Sequence, residues 1–392
     1  MIPRKYLSDL LRLVQHFAAV GVVGARQVGK TTLVKQLNQY QDKPLAYFDL
    51  ENINDYQKFE ENPIWFLGQY EKHLVVIDEI QRMLPLIPLL RSVIDQQREP
   101  GRFILLGSAS PEFLARSTET LAGRIAYLEL NPISISEAKT ANIDSKTHWF
   151  RGGFPEALLM PDDDLWFDWQ SNFVRTYIDS DLRTLGLTAQ PSTIARLLRI
   201  LTTVQGSLLN YSDIANSLDV SMPTVRNYID FLEHAFIVRR LYPFYTNRGK
   251  RLVKTPKLYF RDTGVLHYLM NHSTYNNLIN HVAVGHSWEG YAVEQILNAL
   301  KKNVLSYFYR TQHGSEIDLV LSPSDEPLVS IEVKLSDNPS LSKLTIEAAK
   351  DLGTKHNFVL TPSGGNYWYL PNWKVCNLLE LEEHLRDLNL VK

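Results

Sequence analysis

The sequence predicts an α/β fold: a parallel sheet with helices on both faces. Three observations carry that expectation. The apolar run Ala18 to Val23 leads into Gly24-Ala25-Arg26-Gln27-Val28-Gly29-Lys30-Thr31, and Thr32 to Leu37 continues with helical spacing. A second apolar run, Leu74 to Ile77, ends on the acids Asp78 and Glu79. Further short apolar strands, Leu45 to Leu50 and Phe103 to Leu106, alternate with helical stretches.

The first of these stretches has the P-loop pattern of glycine, four residues, glycine, lysine and a hydroxyl. Gly24 and Gly29 let the backbone turn tightly, so that N–H groups from Gly24 through Thr32 can point at phosphate oxygens. Lys30 supplies positive charge to the β/γ-phosphates, and the Thr31 hydroxyl is a ligand for Mg²⁺. The helix that follows presents its N-terminus to the anion. In the second stretch, the Walker B pattern, a buried strand brings Asp78 to its C-terminal edge to hold Mg²⁺ through water. Glu79 is then placed as general base toward the attacking water. Ser108, after the third strand, reads either as a sensor of the γ-phosphate or as a helix cap. Arg124 and Arg116 read as an arginine finger or sensor, or as surface arginines.

Composition narrows the class. A chain of 392 residues, 44% hydrophobic and 21% charged, is expected to hold several domains with real cores. The net charge of −2 gives no global attraction to nucleic acid or acidic membranes, so any such surface is local. The single cysteine, Cys376, excludes an internal disulfide framework and a cysteine-rich zinc site. With no signal-peptide core and no run long enough to span a bilayer, the expectation is a soluble, cytoplasmic protein with no membrane partner.

The core is expected over residues 1–132, followed by a helical lid or linker over 133–190. Gly152-Gly153-Phe154-Pro155 is a turn, and Leu165-Trp166-Phe167-Asp168-Trp169 opens an amphipathic helix running to about Leu185, with its aromatic stripe in the core. Residues 191–262 read as a winged helix. Tyr211 to Leu218 and Ser221 to Leu232 are the two helices of a helix-turn-helix, with Ser221 as cap and Pro223 in the first turn. From Arg239 to Arg261 there are eight lysines and arginines and no acids. A basic wing of that kind holds a DNA backbone, although winged helices also pack against protein.

The chain resembles AAA-type P-loop ATPases of a bacterial and archaeal group that carries a C-terminal domain of unknown function. The resemblance rests on Gly24 to Leu33, Val75 to Gln81, Leu106 to Ser110, Leu121 to Pro132, Gly152 to Glu156 and Tyr177 to Leu182. It implies ATP binding and hydrolysis, with Mg²⁺ as the second cofactor expected from the motifs; whether the chain forms a homo-oligomer with arginine fingers acting between subunits stays open.

Residues 263–392 are expected to form a second α/β domain. Glu316-Ile317-Asp318 and Glu332-Val333-Lys334 sit on neighbouring strands, with Glu289 on the helix before them. An Asp followed by Glu-x-Lys resembles the PD-(D/E)xK nuclease superfamily, with Ile317 standing where proline is usual. The resemblance implies a restriction-endonuclease-like domain in which Asp318 and Glu332 bind Mg²⁺, Glu289 adds an acid and Lys334 orients the attacking water. Charged residues on solvated strand faces are the alternative. Function then reads as an ATPase coupled to DNA engagement, as a STAND-like switch on a protein partner, or as a toxin or defence ATPase with DNA cleavage as output.

Overall fold

The computed structural model describes residues 2–107, 117, 119–184, 186–245 and 253–392. Ser108, Arg116 and the 246–252 part of the basic stretch lie outside the described residues.

The first third runs α1 (Tyr6–His16), β1 (Ala19–Val23), α2 (Lys30–Gln36), β2 (Leu45–Asp49), α3 (Ile53–Glu61), α4 (Pro63–Gly68), β3 (Leu74–Asp78), α5 (Leu86–Gln96), β4 (Phe103–Gly107) and β5 (Ile125–Glu129). These strands form a parallel sheet in the order β2-β3-β4-β1-β5. Strand geometry explains the apolar runs. Val20, Val22, Leu74 and Val76 enter the core on one face, while Ala19, Val23, Val75 and Ile77 enter a second core on the other. Each fully buried aliphatic contributes about 1.5–3 kcal/mol, so a central strand with two apolar faces is held from both sides. Because the strands are parallel, the ends of β1 and β3 share one edge of the sheet, with β4 between them. That edge is where α/β sheets open a crevice.

The 130–190 region contains α6 (Ile135–Thr140), α7 (Ser145–Arg151), α8 (Pro155–Leu158) and α9 (Asp163–Thr176). Trp166 is fully buried, as the aromatic stripe requires, while Leu165 points outward. The helix expected to run to about Leu185 stays helical without a break from Asp163 to Thr184, but its winding changes on the way. α9 gives way to a π-helical turn over Tyr177–Asp181, and the wider turn lets Tyr177, Ile178 and Asp181 all face inward.

Next come α10 (Pro191–Thr203), α11 (Tyr211–Leu218) and α12 (Met222–His234), followed by an antiparallel ribbon of β6 (Val238–Leu241) and β7 (Lys257–Phe260). Ser221 caps α12 by accepting from Thr224 N at 3.3 Å. The C-terminal part consists of α13 (Thr263–Leu269), α14 (Tyr275–Ile279), α15 (Val284–Ala299), β8 (Leu305–Arg310), β9 (Glu316–Ser322), β10 (Val329–Val333), α16 (Lys343–Leu352), β11 (His356–Leu360), β12 (Tyr367–Leu370), β13 (Trp373–Cys376) and α17 (Leu378–Asp387). Its sheet runs β12-β13-β11-β10-β9-β8. The hairpin β12–β13 closes one edge of this sheet. Its aromatic Tyr367-Trp368-Tyr369 lies between Gly364-Gly365 and Pro371-Asn372, a strand flanked by turn residues. Among the described residues no helix is long and apolar enough to cross a membrane.

Candidate nucleotide site and a second acidic centre

The loop after β1 is built from backbone constraints. A Cβ on Gly24 would lie 2.3 Å from the Leu130 carbonyl oxygen, so no larger residue fits. Gln27 (φ 63°) and Gly29 (φ 93°) are left-handed, which curls the segment before α2 begins at Lys30. Lys30 is 6% exposed, and its ammonium donates to the carbonyls of Gly24 (3.1 Å) and Ala25 (2.9 Å). Burial lowers its pKa, against the raising charges of Glu79 and Asp78.

Asp78, at the end of β3, gathers the crevice. Its Oδ2 accepts from Thr31 Oγ1 at 2.8 Å and from the Tyr47 hydroxyl at 2.5 Å, and its Oδ1 accepts from Glu79 N at 2.9 Å. Glu79 has φ 53°, a strained conformation for a non-glycine residue, and Gln81 Nε2 donates to its carboxylate. Burial pushes the Glu79 carboxyl above the usual carboxylate range; Lys30 opposes that shift and Asp78 adds to it. A buried acid of raised basicity at a crevice edge suits proton abstraction. Lys30, Thr31, Asp78 and Glu79 therefore converge as the sequence places them.

Several partners were not legible beforehand. Arg26 pairs with Asp181 of the π-turn and lies 3.6 Å from Glu51, tying the helical segment to the loop. Arg4 Nη1 donates to Val28 O (2.9 Å), its Nη2 to Asn131 O (2.6 Å), and its Nε to Glu137 (3.1 Å). It braces the loop from behind. Tyr47 carries no motif that would single it out, and Gln81 closes the Val75 to Gln81 stretch of the resemblance without a role assigned to it.

Arg124 lies away from the crevice of its own chain. It precedes β5, at the opposite end of the parallel strands from the P-loop, and forms an exposed pair with Asp95 at 2.5 and 2.9 Å. Strand direction alone keeps it from the crevice of its own chain.

Within the described part of the basic stretch, most of the basic side chains are ion-paired. Arg239 pairs with Glu294 (2.5 Å), Arg240 with Asp230 (2.7 Å) and with Glu233, and Arg261 with Glu129 (2.5 Å). Lys257 is 2% exposed and points into the C-terminal domain. Acids outside the stretch, from 7 to 132 residues away, cancel these charges, which a count within the stretch cannot reveal. Among the described residues of the stretch, exposed Lys254 is the remaining lysine or arginine.

Lys257 belongs to the second centre. Its Nζ lies 2.8 Å from Glu316, 3.0 Å from Glu289 and 3.3 Å from Asp318. Asp318 Oδ2 accepts from Val333 N at 2.9 Å, Tyr259 donates to Glu289 at 2.6 Å, and Lys334 pairs with Glu332 at 2.6 Å. The predicted Glu289, Asp318, Glu332 and Lys334 are thus brought together, with Lys257 in their midst. Burial, then the Glu289 charge, raises the Asp318 pKa; burial, then Asp318, raises that of Glu332. Burial disfavours the Lys257 ammonium, yet Tyr259, Glu289 and Asp318 outweigh it and raise its pKa. Among the described residues, no three His, Cys, Asp or Glu side chains form a group able to hold a metal ion. The Mg²⁺ implied by the nuclease resemblance does not fit this arrangement.

Comparison with known proteins agrees with the first centre. Residues 16–139 match an AAA domain family, residues 142–276 a domain of unknown function (DUF8612), and residues 284–381 a domain of unknown function (DUF4143). The P-loop, the parallel sheet and the AAA match define the class: an AAA-type P-loop ATPase-like protein. The uncharacterized proteins Rv2008c of Mycobacterium tuberculosis and Mb2031c of Mycobacterium bovis are each 35% identical over 353 residues, spanning 90% of this chain and 78% of their own. This chain belongs to their family. The uncharacterized protein MJ1637 of Methanocaldococcus jannaschii is 22% identical, covering 91% of this chain and 84% of its own. Among solved structures, the Walker-type ATPase paby2304 of Pyrococcus abyssi matches with a TM-score of 0.47 at 16% identity, over 69% of this chain and 96% of its own.

Proposed function

We propose that the chain is a Mg²⁺-dependent ATPase whose nucleotide state is coupled to DNA engagement by the C-terminal half. The observation that carries this reading is the convergence of Lys30, Thr31 and Glu79 on Asp78 at the C-terminal edge of the sheet. Mg²⁺ supplies charge neutralisation for the phosphates and fits the Thr31 hydroxyl and Asp78 carboxylate, already 2.8 Å apart. The N–H groups of the loop and Lys30 bind the phosphates, the ammonium leaving the Gly24 and Ala25 carbonyls for phosphate oxygens. Glu79 takes the proton of the water that attacks the γ-phosphorus; the bond to the bridging oxygen breaks and ADP leaves. Gln81 and the backbone turn orient that carboxylate.

The finer reading is that α10 to β7 form a winged helix and that residues 263–392 form a PD-(D/E)xK nuclease-like domain. Its support is the order of three helices then a ribbon, and the clustering of Glu289, Asp318, Glu332 and Lys334. A second reading, a STAND-like switch that acts on a protein partner without cleavage, is favoured by the ion pairs that consume the ribbon's basic side chains.

ATP hydrolysis and cleavage of labelled DNA, with Mg²⁺, separate these for the wild type, Lys30→Ala and Lys334→Ala. Loss of hydrolysis in Lys30→Ala alone is the expected result for the ATPase, and equal rates in all three sink it. Cleavage lost only in Lys334→Ala supports the nuclease. Hydrolysis stimulated by uncut DNA supports a binding platform, and indifference to DNA brings the protein switch forward.

A further inference from the structure

The P-loop carries a second cation beside Lys30. Arg26 is the third residue of the loop and stands four residues before that lysine. Its Nη1 donates to Asp181 of the π-turn, and its Nη2 lies 3.6 Å from Glu51. Arg82 holds Glu51 from the other side at 3.5 Å. Glu51 stands two residues past β2, whose last residue, Asp49, is in register with Asp78. The guanidinium is thus on the edge of the sheet that holds Thr31, Asp78 and Glu79. Charge agrees with that placement: Arg26 is near enough to Lys30 to lower its pKa, and Glu51 near enough to Glu79 to raise its own. Asp181 is a costly host for Arg26. Its side chain is 7% exposed, and burial raises its pKa even against the guanidinium. A phosphate, with more charge and three oxygens, is a better match to a planar fork of N–H donors.

We propose that Arg26 senses the γ-phosphate: it rests on Asp181 while the third phosphate is absent, and exchanges Asp181 for the γ-phosphate oxygens when ATP binds. ADP ends at the β-phosphate and leaves the pair intact. The inference rests on the ATPase reading and adds to it the group that tells ATP from ADP. Asp181 is the positioning residue, since it acts through Arg26 and not on the nucleotide. Its π-turn is tied onward as well. The Tyr177 hydroxyl donates to Ala235 O at 2.9 Å, just beyond α12. The Arg26–Asp181 pair therefore lies between the P-loop and the helices that follow the linker, and the exchange passes the presence of a third phosphate to them.

The experiment titrates ADP and a non-hydrolysable ATP analogue, each with Mg²⁺, into the full-length wild type, Arg26→Gln, Asp181→Asn and the double variant. Arg26→Gln is expected to bind the analogue roughly tenfold more weakly and ADP as the wild type does. Asp181→Asn keeps the size of the side chain but sets Arg26 free. It is expected to bind the analogue roughly threefold to tenfold more tightly, with ADP unchanged, and the double variant loses that gain. An Asp181 that only braces the fold gives the other sign, weaker binding of both nucleotides or no change, and that result overturns the exchange. Equal losses of ADP and analogue in Arg26→Gln overturn it too, because they assign Arg26 to the shape of the loop. Should Asp181→Asn not fold, the analogue-to-ADP ratio of Arg26→Gln decides alone. A wild type that binds neither nucleotide sinks the ATPase reading itself. A wild type that binds both, with the same ratio in every variant, removes the exchange and leaves that reading standing.

Discussion

Two lysines are buried beside carboxylates in this molecule, and they are held in opposite ways. Lys30 rests on two neutral backbone carbonyls, while the neighbouring Asp78 is occupied by Thr31, Tyr47 and a backbone amide. Lys257 is ringed by Glu289, Glu316 and Asp318. The pKa shifts follow, lowered for Lys30 and raised for Lys257, though burial opposes the charge in both. A cation held by dipoles keeps its charge available for an arriving anion. A cation held by three anions is itself the ligand. The first arrangement suits an arriving phosphate and the second is a closed ion cluster, so what surrounds the same residue type sets the two apart.

The largest expected effect breaks the first half of that contrast. Glu79→Gln keeps the shape of the crevice but removes the base, and ATP hydrolysis is expected to fall by roughly 10²–10⁴ while nucleotide binding persists. Lys30→Ala is expected to weaken binding as well. Single-turnover hydrolysis beside a fluorescent-nucleotide titration checks both, and an unchanged rate in Glu79→Gln removes it from the chemistry. Stability sharpens the second half. Lys257→Met strands buried carboxylates, and a loss of about 3–5 kcal/mol is expected in denaturant unfolding without metal. Lys30→Met gives up no comparable ring of acids and is expected to change stability by about 1 kcal/mol or less. Similar losses for the two would mean that the surroundings do not distinguish them.

Acid should act on a third polar region, the joint between the linker and the C-terminal helices. His148 accepts or donates between Tyr291 and Ile133 O, each at 2.8 Å, and His267 between Phe150 O (2.8 Å) and Ser287 (2.6 Å). Burial pushes their pKa values down to about 4 and about 3, with Glu137 opposing the shift at His148 and His272 adding to it at His267. Below the ordinary histidine pKa the unfolded chain takes up protons that the folded chain refuses. Stability should therefore be full above pH 6.5 and fall as pH drops toward 4, by about 3 kcal/mol for each histidine. Unfolding midpoints at pH 7, 5.5 and 4.5 check this, with His267→Gln expected to flatten the slope.

The two centres also differ in how far the sequence disclosed them. The P-loop and Walker B side chains are joined by strand geometry, and a parallel sheet brings the ends of β1 and β3 to one edge wherever they occur in the chain. Glu316 with Asp318, and Glu332 with Lys334, were legible for the same reason, since period two places each pair on a common face. Lys257 was not. It lies in a run of like charges, and such a run reads as a surface; only the folded chain shows that its partners are acids 32 to 61 residues away. Arg239 and Arg261 misled in the same manner, because charge cancellation through space leaves no local pattern. Arg4 reaches the P-loop across 24 residues without any motif, and Asp181, inside the Tyr177 to Leu182 stretch of the resemblance, reaches it across 155.

The smallest expected effect concerns Arg124. Its place at the far end of β5 and its pair with Asp95 give it no path to the P-loop of its own chain. The pair is exposed, so water and salt screen it and its loss should cost little. Arg124→Ala is therefore expected to leave ATP hydrolysis per chain unchanged when the protein is dilute. An arginine finger supplied by a neighbouring subunit behaves differently: wild-type activity per chain rises with protein concentration, and Arg124→Ala fails to follow. Rates for both proteins over a hundredfold dilution distinguish the cases. Parallel lines assign Arg124 to the surface, and divergence at high concentration returns it to the active site across a subunit boundary.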